Sequence, residues 1–141
     1  MGRDFKRLQP IHRLALMREN RSARDLAVAT SRLQSDKAKL SELITYQTEY
    51  NQSVRTSGST GMQLRGAHAF LTQLSSAIEM QEQQLRNGEE NLSRETEQWM
   101  ALKADRKAIE LVIEKRFARQ RIHVENLEQD QMDEASQRSL H

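Results

Sequence analysis

Apolar residues recur with a seven-residue period along most of the chain, and polar residues fill the positions between them. In the first half, the heptad positions a and d hold Leu26, Ala29, Leu33, Asp36, Leu40, Leu43, Gln47, Tyr50 and Val54. In the second half, the a positions hold Leu64, Leu71, Ile78, Leu85, Leu92, Trp99, Arg106 and Ile113. Only Asp36, Gln47 and Arg106 in these series are not apolar. A repeat sustained over so many heptads predicts a left-handed coiled coil.

A turn divides the two series. The segment Thr56-Ser57-Gly58-Ser59-Thr60-Gly61 is the only cluster of glycine and small polar residues in the chain. We therefore predict a helix over about residues 8–55, a turn at about 56–61 and a helix over about 62–135, all within one coiled-coil domain covering 1–141. Pro10 suits the first turn of the first helix, where its missing N–H has no partner to lose.

Two such helices joined by a short turn predict an antiparallel pair, in which a positions meet d positions across the seam. Centring the hairpin on Ser57 gives such an alignment. The pairs that it predicts are Leu40 with Leu74, Leu43 with Leu71, Asp36 with Ile78 and Tyr50 with Leu64. It also places Glu19 beside Glu95 and leaves the chain beyond about residue 106 without an internal partner. The predicted fold is all-α, a long antiparallel two-helix coiled coil, or helical hairpin.

The composition argues against a compact enzyme. Apolar residues make up 36%, charged residues 30% and aromatic residues 4%, with a mean hydropathy of −0.84, too little apolar content for a dense globular core. No stretch approaches the roughly 20 apolar residues that span a bilayer. Cysteine is absent, which excludes disulfides and thiolate ligands. Phosphate-loop, dinucleotide and HExxH motifs are also absent, so we predict no catalytic residue, cofactor or metal site. Metal-ligand spacing is missing among His12, His68, His123 and His141.

Aromatic residues are rare, yet two occupy flanking heptad positions near the turn. Tyr46 and Phe70 are both at position g, and g lies beside g in an antiparallel pair. Their rings either fold over Leu43 and Leu74 as a widened hairpin end or form a patch that binds a partner. We favour the patch, because contiguous exposed apolar surface usually marks an interface. Trp99, at an a position, is predicted to pack in the core.

Charge is unevenly distributed, although the formal net charge is only +2. Residues 1–24 carry +5 and residues 103–124 carry +4, whereas residues 25–102 carry −3 and residues 125–141 carry −4. The predicted hairpin brings both basic segments to the end opposite the turn. They are either ordinary solvated faces or a contact for an acidic partner. A nucleic-acid-binding helical protein stays an alternative with the pI near 9.1, although the aromatic residues lie in the acidic part.

Three segments carry a family resemblance. They are Leu43-Ile-Thr-Tyr-Gln-Thr-Glu-Tyr50, Leu64-Arg-Gly-Ala-His-Ala-Phe-Leu-Thr-Gln-Leu-Ser-Ser-Ala-Ile78 and Gln131-Met-Asp-Glu-Ala-Ser-Gln-Arg138. In this order the sequence resembles the FliJ family of flagellar type III export proteins. The resemblance implies a cytoplasmic coiled-coil stalk that is not an enzyme, is similar to the two long helices of the F1 ATPase gamma subunit, and is peripheral to the inner-membrane export apparatus. It also implies three partners: a FliI-like hexameric export ATPase, an FlhA-like membrane gate protein and export chaperones. The stalk of a virulence-type secretion system is a sister alternative.

The resemblance also implies which residues bind these partners. The family's gate-binding face corresponds to Leu43, Tyr46, Tyr50, Phe70, Leu74 and Ala77. Lys39 and Gln81 depart from the family's pattern at the limits of this face. By the same analogy, the basic end enters the ATPase ring. The basic residues that we assign to that contact are Arg13, Arg18, Lys107 and Arg116.

Overall fold

The protein consists of two long α-helices in a computed structural model that describes residues 2–58 and 60–139, with side chains from residue 6 onward. Helix α1 spans Gly2–Thr56 and helix α2 spans Gly61–Ser139, with 55 and 79 residues. The two helices pack against each other, and no strand occurs within the described ranges, so the predicted all-α helical hairpin is confirmed. Ser59 of the predicted turn and His141 lie outside the described residues.

The helix starts at Gly2, so Pro10 lies inside α1 and not in its first turn as the sequence predicted. The prediction was wrong because the apolar pattern becomes regular only after residue 8, whereas the polar residues before it also adopt helical geometry. Proline at this position has no N–H to donate to the carbonyl four residues earlier, which costs the helix one hydrogen bond.

Side-chain hydrogen bonds satisfy backbone groups at the two helix ends that border the turn. The Thr56 hydroxyl donates to the Ser53 carbonyl at 3.3 Å, satisfying one of the last four carbonyls of α1. Thr60 and Gln63 form a reciprocal capping box at the start of α2. The Thr60 N–H donates to Gln63 Oε1 at 3.1 Å, and the Gln63 N–H donates to Thr60 Oγ1 at 3.4 Å. The turn therefore begins α2 at the residue after Thr60.

The chain divides into two compact units. The terminal unit comprises Met1–Ser22 and Trp99–His141, and the turn unit comprises Ala23–Gln98. The buried residues of the turn unit lie at heptad a and d positions of both helices. They are Ala29, Leu33, Asp36, Ala67, Leu74 and Ile78.

Contacts across the seam of the turn unit define its register. A Cβ built on Gly88 would lie 3.3 Å from Leu33 Cδ1, so these two positions face each other. The Gln81 amide donates to the Asp36 carbonyl oxygen at 3.1 Å. Extending the Leu33–Gly88 contact by one heptad in each helix puts Leu40 opposite Gln81.

The predicted pairs, Leu40 with Leu74 and the three that accompany it, are therefore wrong by one heptad. A shift of seven residues preserves every match between a and d, so the apolar repeat alone cannot distinguish the two alignments. In the observed alignment, Leu33 packs where Gly88 has no side chain, and the Gln81 amide donates to the backbone carbonyl of Asp36. These non-apolar seam positions select the register.

The terminal unit also departs from the predicted alignment. Glu19 binds Arg106 and not Glu95, and His12 binds Glu110 at 3.0 Å, so residues beyond 106 do have partners in α1. Both predictions were wrong for the same reason as above, since the true register moves α2 along α1. From residue 121 to residue 139, every side chain of α2 is exposed.

Candidate protein-docking surfaces

Three aromatic rings meet on the surface of the turn unit, and we call Tyr46, Tyr50 and Phe70 the aromatic cluster. The Tyr46 and Phe70 ring centroids are 6.1 Å apart, with an interplanar angle of 77°. Tyr50 lies 4.7 Å from Phe70 and 6.4 Å from Tyr46. Edge-to-face and tilted pairs at these distances are favourable because the positive edge of one ring meets the negative face of another. The predicted neighbourhood of Tyr46 and Phe70 is confirmed.

Local helix geometry produces the cluster. Tyr46 and Tyr50 are four residues apart, so they lie one above the other on one face of α1. Phe70 reaches them from α2 and is half-buried, as is Tyr50, whereas half of Tyr46 is exposed at 50%. The rings thus cover one another and still leave an aromatic surface open to solvent.

The other three residues of the predicted gate-binding face occupy different depths. Leu43 and Ala77 are half-buried. Leu74 is only 8% exposed and belongs to the seam beneath the rings. A polar contact, from the Gln47 amide to the Ser75 hydroxyl at 3.0 Å, joins α1 and α2 in the same unit. Leu74 therefore supports the surface from below, and the exposed part consists mainly of Tyr46.

The terminal unit carries a cluster of charged side chains that joins the helices, and we call His12, Glu19, Arg106 and Glu110 the ion-pair cluster. The Arg106 guanidinium donates from Nε and Nη2 to the Glu19 carboxylate and from Nη1 to Glu110 Oε2 at 2.9 Å. His12 Nε2 donates to Glu110 Oε1 at 3.0 Å. Such forked pairing of a guanidinium with carboxylates fixes geometry as well as charge.

These contacts shift two pKa values. The hydrogen bonds from His12 and then Arg106 hold the pKa of Glu110 below its usual range, because they stabilise the carboxylate. The hydrogen bonds to Glu19 and then Glu110 raise the pKa of Arg106 further. The sequence analysis missed this cluster. Its signal was Arg106, the one charged residue in the predicted a series of α2.

An apolar groove runs between α1 and α2 in the terminal unit, and we call it the terminal groove. Its volume is about 330 Å³. The residues that line it are Ile11, Leu14, Ala15, Arg18, Leu102, Asp105, Ala108 and Ile109. Half of the Ile11 surface and 47% of Leu14 are exposed, so the groove presents apolar surface to solvent.

The basic residues assigned to the ATPase contact all lie in this unit. Arg13, Arg18, Lys107 and Arg116 are exposed. Arg18 is also part of the terminal groove, which puts a guanidinium beside apolar surface. The two candidate surfaces therefore differ in chemistry, since the aromatic cluster is uncharged and the surface of the terminal unit combines arginine and lysine with an apolar groove.

The family model of the flagellar FliJ protein matches residues 5–141. The chain belongs to the FliJ family. It is thus a protein associated with flagellar export, and the family is a non-enzymatic component of that process. No curated protein matches the chain, and no solved structure matches it.

Three further features of this FliJ-family protein concern its indole ring, its metal-binding side chains and its apolar stretches. Trp99 is half-buried, and the Lys103 ammonium lies 4.8 Å from its ring centroid in a cation–π contact, so the indole packs within the terminal unit. Within the described part of the chain, no three side chains of the metal-binding types come together. Neither of the described helices has an apolar stretch long enough to cross a membrane.

Proposed function

We propose that this FliJ-family protein couples the export ATPase to the membrane export gate. In this proposal the aromatic cluster binds the FlhA-like gate protein, and the basic residues of the terminal unit bind the FliI-like ATPase ring. Export chaperones are further partners, and the protein is cytoplasmic and becomes peripheral to the inner membrane through the gate protein. The family match favours a flagellar system over a virulence-type one.

The aromatic cluster carries the gate-binding half of the proposal. Three of the few aromatic residues in the chain gather at one surface, and two of them, Tyr46 and Phe70, lie at flanking positions and not in the seam. Aromatic residues dominate the binding energy of protein interfaces because they bury a large area at a small cost in side-chain entropy. The six residues assigned to this contact are Leu43, Tyr46, Tyr50, Phe70, Leu74 and Ala77.

The test is a binding measurement with the cytoplasmic part of the gate protein. Tyr46→Ala combined with Phe70→Ala is expected to weaken binding at least tenfold, in line with the roughly 2 kcal/mol or more of an interface hot spot. Val28→Ala combined with Met80→Ala is the matched control, since both side chains are apolar, exposed and in the same unit, at 67% and 74%. Gate binding equal to that of this control would contradict the proposal.

The basic side chains support the ATPase-binding half. Residues 1–24 and 103–124 carry +5 and +4, and nearly all of them belong to the terminal unit, so this unit attracts an acidic surface. Arg13→Glu with Lys107→Glu is expected to weaken ATPase binding, and added salt should weaken the binding of the unmodified protein. Arg32→Glu with Lys37→Glu, on exposed positions of the turn unit, is the control with equal charge change. If neither added salt nor charge reversal changes the affinity for the ATPase, an electrostatic contact is excluded.

A further inference from the structure

We propose that α1 and α2 slide along each other between two registers one heptad apart, and that the ion-pair cluster holds them in the register observed here. In the second register, Leu40 lies opposite Leu74 instead of Gln81. The proposal stands on three features: a seam that matches in both registers, a turn that can connect both, and a salt bridge that fits only one. It goes beyond the proposed function and does not depend on the gate or the ATPase.

The seam of the turn unit pairs apolar residues in both registers. Leu43 lies opposite Ile78 in the observed register and opposite Leu71 in the second. Tyr50 lies opposite Leu71 in the observed register and opposite Leu64 in the second. Because the buried apolar surface changes little between the two, the seam itself allows one helix to move past the other, as packed helices do in switching proteins.

The turn can connect the helices in both registers. Thr56 ends α1 and Gly61 begins α2, so five Cα–Cα steps join them and reach at most about 17 Å. Gly61 lies roughly 6 Å beyond the end of α1 in the observed register and roughly 4.5 Å before it in the second. Paired helix axes are about 8–10 Å apart, so the chain reaches in either case without unwinding a helix.

The turn also limits the number of registers. A slide of one heptad in the opposite direction would carry Gly61 roughly 16 Å beyond the end of α1. The five steps would then have to cross that distance in addition to the gap between the helices, so α2 would have to unwind at its start. The connection therefore permits the second register and opposes a third.

The salt bridge between Glu19 and Arg106 fits only the observed register. Their side chains are only 13% and 18% exposed, so solvent screens their charges weakly. Because both helices are continuous, a slide of one heptad moves Arg106 about 10.5 Å away from Glu19. It brings Glu95 beside Glu19 instead, which replaces an attraction with a repulsion. This contact therefore favours the observed register, whereas the apolar matches favour neither.

The slide would rearrange the aromatic cluster. Phe70 lies 4.7 Å from Tyr50 and 6.1 Å from Tyr46 between ring centroids in the observed register. The second register moves Phe70 about 10.5 Å along α1, from the level of residue 51 to the level of residue 44. Phe70 thus leaves Tyr50 and passes to the other side of Tyr46. The state of the ion-pair cluster thereby determines which aromatic surface the turn unit presents.

The test is the distance between two spin labels in the full-length protein, measured by double electron–electron resonance. The chain has no cysteine, so Glu49→Cys on α1 and Glu90→Cys on α2, both at exposed positions of the turn unit, provide the only labelling sites. These positions are roughly 27 Å apart along the helix axis in the observed register and roughly 37 Å apart in the second. Without further substitution, the labelled protein is expected to give the shorter distance.

Charge reversal at Glu19 should move the helices to the second register. In Glu19→Lys, the new ammonium repels Arg106 and attracts Glu95, so most molecules should give a distance about 10 Å longer. Adding Arg106→Glu restores an opposite-charge pair at the original place, and the double variant should return to the shorter distance. Asp25→Lys makes the same charge change at an exposed position of α1 and should keep the shorter distance.

Disulfide trapping provides a second measurement. Gln81→Cys with Leu40→Cys should form a disulfide in the otherwise unmodified protein, because these positions face each other in the observed register. Gln81→Cys with Leu33→Cys should form one only when Glu19→Lys is added. A Glu19→Lys protein in which most molecules keep the shorter distance overturns the proposal. So does one whose helices separate and give neither distance, or a double variant that fails to return.

Discussion

Gly88 of α2 faces Leu33 of α1 so closely that an added Cβ would lie 3.3 Å from Leu33 Cδ1. Leu33 is only 6% exposed, so surrounding side chains hold it in place. Glycine normally weakens a helix, by roughly 1 kcal/mol relative to alanine. Its presence here allows close approach of the two helices at a seam position. The contact also records the register of the turn unit, which the apolar repeat leaves ambiguous.

The first prediction compares two glycines of α2. Gly66→Ala should raise the free energy of unfolding by about 0.5–1 kcal/mol, because alanine favours the helix and no atom lies within 4 Å of the new methyl group. Gly88→Ala should gain distinctly less, because its methyl group presses on Leu33. Chemical denaturation measures both. In a Leu33→Ala background, Gly88→Ala should stabilise the protein as much as Gly66→Ala does. Equal stabilisation by the two substitutions in the unmodified background would contradict the observed register.

The second prediction concerns a buried hydroxyl in the terminal unit. Ser22 is 4% exposed, and its Oγ has no hydrogen-bond partner among the described residues. Ser22→Ala removes an unsatisfied polar group and improves helix propensity, so it should stabilise the protein by about 1 kcal/mol. Ser41→Ala, on an exposed position of α1, should give only the smaller propensity gain. Thermal and chemical unfolding of the two variants compare these effects, and a destabilised Ser22→Ala protein would show that the hydroxyl has a role in folding.

The third prediction is a pH dependence that arises from the ion-pair cluster. His12 and Arg106 lower the pKa of Glu110 in the folded state. A carboxyl with a depressed pKa stabilises the fold above its ordinary pKa of about 4.3, and this contribution is lost as the pH falls through the lowered value. Glu110→Gln should therefore unfold more easily than the unmodified protein at pH 7, and the difference should shrink in acid.

Glu90→Gln provides the comparison, since Glu90 is exposed on α2 in the other unit. It should change stability little at either pH. A Glu110→Gln protein whose deficit is as large in acid as at neutral pH would show that the carboxylate charge does not contribute, and that the side chain acts only through packing.

The fourth prediction separates ring packing from the phenolic hydroxyl in the aromatic cluster. Tyr46→Phe keeps the edge-to-face contact with Phe70, so it should preserve helicity, stability and most of the gate binding. Tyr46→Ala removes a side chain that is half exposed, so it should lower gate affinity far more than it lowers stability. Circular dichroism and a binding titration measure the two quantities. A loss of helix content that parallels the loss of binding would mean that the rings are structural.

Much of this fold follows from residues that act locally. The heptad series predicts both helices, and the small polar segment after Thr56 predicts where they separate. Tyr46 and Phe70 are both at position g, which predicts that they flank the same side of the seam, and their rings do lie side by side there. In contrast, the sequence could not predict the Glu19–Arg106 contact, because that contact depends on how far one helix is displaced along the other.

The sequence by itself determined that the chain forms two long helices, that apolar stripes join them, and that aromatic and basic residues lie in different segments. These properties repeat every seven residues and need only local spacing. The tertiary structure alone decided the alignment, because a displacement by one heptad leaves every apolar match intact. That displacement put Gly88 against Leu33 and closed the ion-pair cluster around Arg106.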